Sequence, residues 1–335
     1  MTRSETVVDA EGVPVRLSSP DKLMFPERGW TKLDVAEHYL RCAPGVLRAI
    51  GGRPCLLKRW PQGAGGEPFY QKRAPKAARE TARITFPSAR PGRMVVAREL
   101  QDVIWMVQLN CLDLHSWPVT TEDLDHPDEL RLDLDPAEGS DFEMARAVAA
   151  LCREVLAEHG LEGRPKTSGS RGIHIYVPIE TRWTFHEVRR ASLALAREVE
   201  RRNPDIATTE WWKERRRGVF IDYNQNARDK TIASAYSVRH TGLVSAPFAW
   251  DELETIDPHA LDLERFAERW DALGDVAATI EAPPGRLDGL LALADADEAR
   301  GLGDAPWPPH YPKQPGEPPR VQPSKRAAPK TDATP

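Results

Sequence analysis

No run of eighteen apolar residues occurs in the 335-residue chain, which excludes a membrane-spanning helix. The N-terminus, MTRSETVVDAEGVPVRLSSP, lacks the apolar core of a secretory signal, so a cytoplasmic location is the expectation. Cysteine is scarce: Cys42, Cys55, Cys111 and Cys152 stand far apart with no CxxC. That spacing argues against a disulfide framework and a zinc site, and it suits a reducing compartment. The GxxxxGK[ST] spacing of a P-loop is missing, and so is any internal repeat. Net charge is also small, with 46 Lys and Arg against 51 Asp and Glu for a formal −5. A hydrophobic fraction of 40% and a charged fraction of 29% are ordinary for a globular protein. The length suits one large domain or two lobes.

The small total hides segregation. Residues 51–100 carry 11 basic and three acidic side chains, and residues 101–140 carry one basic and ten acidic. Residues 201–241 turn basic again, nine against five, and residues 242–335 have nine basic against 17 acidic. Basic segments on both sides of an acidic one would result from a polyanion-binding surface beside a carboxylate cluster that holds metal. Solvated faces would give the same pattern, so the acidic part must itself show chemistry.

Local signals place the elements. Ser18–Asp21 reads as a turn, and Thr31 with Asp34 as a capping box before an amphipathic helix. PQGAGGEP (61–68) is a Gly-rich loop between Lys58-Arg59-Trp60 and Phe69-Tyr70-Gln71-Lys72. LRLDLD (130–135) alternates strictly and predicts a strand, with Asp133 and Asp135 on one face and Leu132 and Leu134 on the other. Ser140 with Glu143 predicts the next cap, for a helix ending at Gly160. GIHIYV (172–177) predicts a strand, Thr184 with Glu187 a second capped helix, and Val219–Ile221 a third strand leading into Asp222. Strand–helix–strand–helix–strand points to an α/β or α+β sandwich with a mixed sheet. From 305 onward ten of 31 residues are proline, which predicts a disordered tail.

Three constellations carry chemistry. Asp133 and Asp135, about 7 Å apart along one strand face, can hold divalent cations through oxygen. Asp222, at the end of VFID, is the candidate third ligand of a two-metal site. DxD also occurs in nucleotide-sugar glycosyltransferases, so this motif alone does not fix the reaction. Lys166–His174, KTSGSRGIH, joins small hydroxyl residues, glycines and Arg171 in a loop whose N–H groups can close around phosphate. Lys230 and Arg239 follow the third acid closely enough to reach a triphosphate held there, with Arg215, Arg216 and Arg217 upstream. Finally, Lys22, Lys32, Lys58, Arg59, Phe69, Tyr70 and Lys72 mix cations with aromatics, which suits phosphates and stacked bases.

Taken together, SSPDKLMFPERGWTK, KRWPQG, PFYQK, LDLH, LRLDLDP, TSGSRGIHIYVP, GVFIDYNQN and KTIASAYSVR, in that order, resemble the polymerase domain of bacterial ligase D, in the archaeo-eukaryotic primase superfamily. No KxDG adenylation motif of a ligase follows, so the expectation is a stand-alone member, close to the primase-polymerases that work beside ligase C. The resemblance implies an α+β fold with a mixed or antiparallel RRM-like central sheet, flanking helices and a second β-containing lobe. It implies a catalytic domain over 1–304, with a DNA-binding part to about 110, a catalytic core over about 111–250 and a helical part over about 251–304.

The resemblance also implies roles. Asp133, Asp135 and Asp222 would be the catalytic, metal-binding triad for two divalent ions, Mn²⁺ or Mg²⁺. Ser168, Arg171, Lys230 and Arg239 would hold the NTP or dNTP. His115 would sit near the nucleotide sugar, in keeping with a preference for ribonucleotides. Lys22 and Lys32 would grip the 5′-phosphate across a gap, and Phe69 and Tyr70 would stack on the template; Lys58, Arg59, Lys72 and Arg215 would complete the DNA face. Arg171 stands where fused ligase domains usually have Lys, which keeps charge but alters phosphate geometry. The implied partners are gapped or broken DNA, an ATP-dependent DNA ligase and, in end joining, Ku. Two other readings stay open here: a non-catalytic end- or gap-binding paralogue that recruits a ligase, and a DxD glycosyltransferase or metal phosphohydrolase.

Overall fold

Strict alternation builds the centre of the molecule. In the computed structural model, which describes residues 4–320, Glu129–Pro136 is a strand whose Leu130, Leu132 and Leu134 are fully buried on one face. It pairs antiparallel with Ile173–Pro178 on one side and Val219–Ile221 on the other. Arg164–Thr167 extends the first side antiparallel, and Ala207–Thr208 extends the second in parallel. Helices Phe142–Glu158 and Phe185–Arg202 supply Val148, Cys152, Val188 and Leu195, all buried in the same core as those leucines. The opposite face of this mixed sheet is left for polar side chains.

A second sheet forms from Phe69–Gln71, Pro54–Arg59, Gly92–Val96 and Thr81–Ile84, with Cys111–Ser116 also pairing antiparallel to Pro54–Arg59. The architecture is therefore α+β with a mixed central sheet and a second β-containing lobe, as expected. The expected division near residue 110 runs along this sheet, because Cys111–Ser116 belongs with the N-terminal strands. The SAYSVR region joins the two sheets: Ser234 N donates to Leu114 O at 2.8 Å, and Ser245 Oγ donates to Thr167 O at 2.7 Å.

Both Thr caps form as full capping boxes, Thr31 with Asp34 and Thr184 with Glu187. The cap expected at Ser140 moves one residue on, where the Asp141 carboxylate accepts from Met144 N at 3.0 Å. A charged oxygen is the stronger acceptor at a helix N-terminus.

Residues 305–320 correct the expected tail, and 321–335 lie outside the described residues. Trp307, 3% exposed, stacks its ring 4.0 Å from the Arg189 guanidinium. Arg189 also donates to Asp304, Ala305 O and Asn224 Oδ1, and Tyr311 OH donates to Arg228 O at 2.7 Å. Proline-rich composition does not leave this segment loose, because the Trp307 ring and the Ala305 carbonyl cover the Arg189 guanidinium and Tyr311 donates to the Arg228 carbonyl. Trp307→Ala is expected to lower unfolding free energy by about 3 kcal/mol and open 305–320 to protease, measured by urea titration and limited proteolysis. Unchanged stability and protection would refute that seating.

Candidate functional site

The polar face of the central sheet gathers the three acids. Asp133 and Asp135 project from the middle strand, and Asp222 follows the neighbouring Val219–Ile221 strand, its N–H donating to Asp133 O at 2.9 Å. The Gln225 amide lies between two of the carboxylates, 3.0 Å from Asp133 Oδ2 and 3.1 Å from Asp222 Oδ2. Asn224 N donates to Asp222 Oδ1 at 2.9 Å. His174 Nε2 stands 3.3 Å from Asp133 Oδ1.

The electrostatics are those of crowded acids. Burial, reinforced by Asp133, pushes the Asp135 carboxyl up against the pull of Arg171, Arg216 and Lys213. Burial also raises Asp222 and outweighs Lys230, with Asp133 adding to the rise. Burial would raise Asp133 too, but His174, Arg239 and Gln225 hold it below the usual carboxylate range.

This donor set fits divalent cations. It offers three carboxylates with hard oxygen donors, two of them destabilised as anions, and an amide N–H placed as a weak positive centre between two of them. The Gln225 Oε1 acceptor is buried and has no partner among the described residues. Among those residues no three His, Cys, Asp or Glu side chains already form a metal-binding group. Asp133 is turned to His174 and Gln225 instead.

The KTSGSRG loop abuts the same strand. Ser168 Oγ accepts from Ser170 N at 3.2 Å and Gly172 N at 3.1 Å. Arg239 donates to Ser168 O at 2.6 Å. A Cβ on Gly169, whose φ is +67°, would meet Arg239 Cγ at 2.4 Å. Arg171 is exposed and reaches Pro136 O at 3.3 Å, beside Asp135. Arg171 acts on Asp135, Lys230 on Asp222 and Arg239 on Asp133, and Ser168 lies in the loop that Arg239 holds.

A buried acid that sequence reasoning passed over organises the next part. Asp113 is fully buried and takes Lys58 Nζ at 2.9 Å, His115 Nε2 at 2.9 Å, Trp60 Nε1 at 3.3 Å and Arg239 Nε at 3.4 Å. Burial would raise its carboxyl, yet His115, Arg239 and Lys58 hold it far below the usual range. Burial lowers His115, whose Nδ1 has no partner among the described residues. Lys58 is corrected: it was expected on the DNA face, but its ammonium is buried against Asp113 and beneath the Trp60 and Tyr70 rings, at 5.0 and 5.9 Å. The i, i+2 alternation of LDLH puts Asp113 and His115 on one face, and that was the signal for Asp113.

The remaining candidates spread outward. Phe69 and Tyr70 are 44% and 60% exposed, with the Arg59 guanidinium 5.0 Å from the Phe69 ring. Lys72 pairs with Asp229 at 2.5 Å, and Arg215 is exposed on the 3-10 turn Lys213–Arg215. Lys22 and Lys32 are neighbours, Lys32 N donating to Lys22 O at 2.8 Å. Lys22 Nζ is part-exposed and reaches Pro61 O and Asn110 Oδ1, whereas Lys32 is buried against Ser18 O at 3.1 Å. His174 and Gln225 also escaped assignment; their proximity to Asp133 depends on strand register and a 3-10 turn that sequence spacing does not reveal.

Comparison with known proteins shows the family. The family model described as "LigD, primase-polymerase domain" matches residues 31–277. The multifunctional non-homologous end joining protein LigD of Mycolicibacterium smegmatis is 31% identical over 307 residues, covering 89% of this chain and 40% of that protein. The protein of the same name from Pseudomonas aeruginosa is 31% identical over 298 residues, covering 88% of this chain and 32% of that protein. The chain therefore spans less than half the length of these curated relatives. The solved polymerase domain from Mycobacterium tuberculosis ligase D in complex with DNA superposes with a TM-score of 0.72 at 30% identity, covering 80% of this chain and 98% of that one. Among the described residues no helix is long and apolar enough to cross a membrane. Matched from residue 31 to 277 by the family model, this chain belongs to the LigD primase-polymerase domain family.

Proposed function

We propose that the chain is a DNA-directed nucleotidyltransferase, a primase-polymerase that adds nucleotides, preferably ribonucleotides, to primer 3′ ends at short gaps or breaks bearing a 5′-phosphate. The observation that carries this reading is Asp222 meeting Asp133 across one Gln225 amide, with a phosphate-cradling loop and Arg239 alongside. Asp133, Asp135 and Asp222 would hold two divalent cations, Mn²⁺ or Mg²⁺, which when bound supply Lewis-acid activation of the primer hydroxyl and stabilisation of the leaving pyrophosphate. The chain itself positions and neutralises. Ser168 and the loop N–H groups orient the triphosphate, Arg171, Lys230 and Arg239 offset its charge, and Phe69 and Tyr70 offer exposed rings to bases. The His115 ring, held by Asp113 through Nε2, keeps its other nitrogen for a sugar hydroxyl. A 2′-OH both donates and accepts, which gives a ribonucleotide preference its physical basis.

Extension leaves a nick, so an ATP-dependent DNA ligase acts next, with Ku at broken ends. The test is primer extension on gapped, overhang and primer-free templates, with NTPs and dNTPs and each metal in turn. Incorporation of NTPs above dNTPs on gapped DNA is expected, and no incorporation under any condition would end the reading. Lys22→Ala should weaken binding to a 5′-phosphorylated gap about tenfold and barely change binding to a 5′-hydroxyl gap, by fluorescence anisotropy. Equal loss on both would reject that role for Lys22.

A further inference from the structure

We propose that segment 304–311 is a positioning element of the nucleotide site: it clasps the turn after Asp222, and so sets the Asp222 carboxylate and the loop that carries Lys230. The catalytic consequence rests on the polymerase reading, but the clasp itself does not. The segment lies beyond the 31–277 span of the family match, so that match gives it no role.

Successive residues of the 3-10 turn Tyr223–Asn226 point different ways. Gln225 faces the acids, its amide donating to Asp133 and Asp222. Asn226 is pinned to the central strand, accepting from Arg131 N and donating to Arg131 O, both at 2.8 Å. Asn224, 1% exposed, serves two sides at once. Its backbone N–H donates to Asp222 Oδ1 at 2.9 Å. Its side chain is held from outside, Oδ1 accepting from Arg189 Nε at 2.7 Å and Nδ2 donating to Pro306 O at 2.9 Å. The donor on Asp222 therefore belongs to a residue whose side chain the segment grips.

Arg189 makes that grip specific. Its guanidinium is buried and gives its other donors to Asp304 at 2.8 Å, Ala305 O at 2.9 Å and Pro306 O at 3.2 Å. The Trp307 and Tyr223 rings lie 4.0 and 5.2 Å from it. Ala305 packs with Phe220 and Tyr223, on either side of Asp222 in the chain. An apolar plug would cover those rings equally well, but it would not aim a carboxylate and two carbonyls at one guanidinium.

A second grip lies farther along. Tyr311 OH donates to Arg228 O at 2.7 Å, and Lys230 follows two residues later, its N–H donating to Ala227 O at 3.1 Å. Holds at Asn224 and Arg228 thus steady the stretch between Asp222 and Lys230 at two points. Prolines at 306, 308 and 309 preset the backbone and reduce the entropy lost in ordering it. Supporting hydrogen bonds of this kind orient metal-ligating groups.

The test uses W307A, which uncovers Arg189, and Y311F, which removes only the hydroxyl donor. In W307A, held well below its melting temperature, amide hydrogen exchange over 222–230 should quicken about tenfold or more, with that of 129–136 unchanged. The Mn²⁺ dissociation constant, from electron paramagnetic resonance of the free ion, should rise about tenfold, while gapped DNA binds as before. W307F keeps a ring over Arg189 and should recover most of the loss. Y311F should raise KM for NTP about three- to tenfold with kcat unchanged.

A W307A protein that loses stability yet keeps wild-type exchange over 222–230 and wild-type Mn²⁺ binding would overturn the proposal. So would Y311F with a wild-type KM, and that variant decides alone where W307A does not fold. A wild-type chain that takes up no Mn²⁺ and extends no primer would retire the polymerase reading, while the exchange rates would still decide the clasp.

Discussion

Asp133→Ala combined with Asp135→Ala is expected to abolish nucleotide addition, a loss of about 10³-fold or more, while binding of gapped DNA stays near the wild-type level. The reason is a division of labour in the fold. The acids sit on the polar face of the central sheet with Asp222, whereas Lys22, Phe69 and Tyr70 lie on N-terminal segments. Removing two carboxylates deletes the oxygen donors without touching that surface. Stability is expected to change little, because the two losses oppose each other. Asp135 is pushed up by burial and by Asp133, so Asp135→Ala removes a carboxylate destabilised as an anion, whereas His174, Arg239 and Gln225 hold Asp133 below the usual range, so Asp133→Ala gives up favourable contacts. A melting temperature close to that of the wild type, beside lost primer extension, is the signature of acids placed for function. Extension at a tenth of the wild-type rate or better would contradict the role given to these residues.

Gly172→Ala should be nearly as damaging by a different route. A Cβ there would stand 2.2 Å from Leu134 O and 3.3 Å from Leu134 C, and neither is the end of a flexible side chain. The loop must therefore lift away from the strand that carries Asp133 and Asp135. Lifting it strains the bonds that seat the loop, Arg171 to Pro136 O and Arg239 to Ser168 O. It also disturbs the adjoining strand that carries His174. We expect a loss of about 2–3 kcal/mol in stability from overpacking and about 10²-fold in kcat/KM for NTP from misplaced phosphate donors. Gly139→Ala is the control. Its φ is +85° with nothing within 4 Å, so it pays only the backbone cost of about 1 kcal/mol. Urea unfolding and NTP titration of both variants measure the difference, and equal effects would mean that close approach is not what requires Gly172.

What could be read from the sequence was local. LRLDLD announced a strand with its acids on one face because alternation is a property of adjacent residues, and the Thr31 and Thr184 caps were visible as four-residue motifs. The cross-strand row Lys166–His174–Asp133 was not visible, because register between strands is fixed by hydrophobic faces and long-range pairing rather than by spacing. Lys58 looked like a surface cation until Asp113, a lone acid between two leucines in LDLH, proved to be its buried partner. The segment after 304 looked disordered by composition, since proline counts do not register Trp307 covering Arg189. Asp222 was legible as the acid that ends the VFID strand; the fold supplied Gln225 as the side chain that ties it to Asp133.

The most direct measurement is anomalous diffraction at the manganese edge from crystals of the wild-type chain soaked with Mn²⁺ and a non-hydrolysable NTP. The account predicts manganese peaks bounded by Asp133, Asp135 and Asp222, with the triphosphate against the Ser168–Gly172 loop. Triphosphate bound in that loop with no manganese among the three carboxylates, in crystals of a protein that still extends primers, would contradict it.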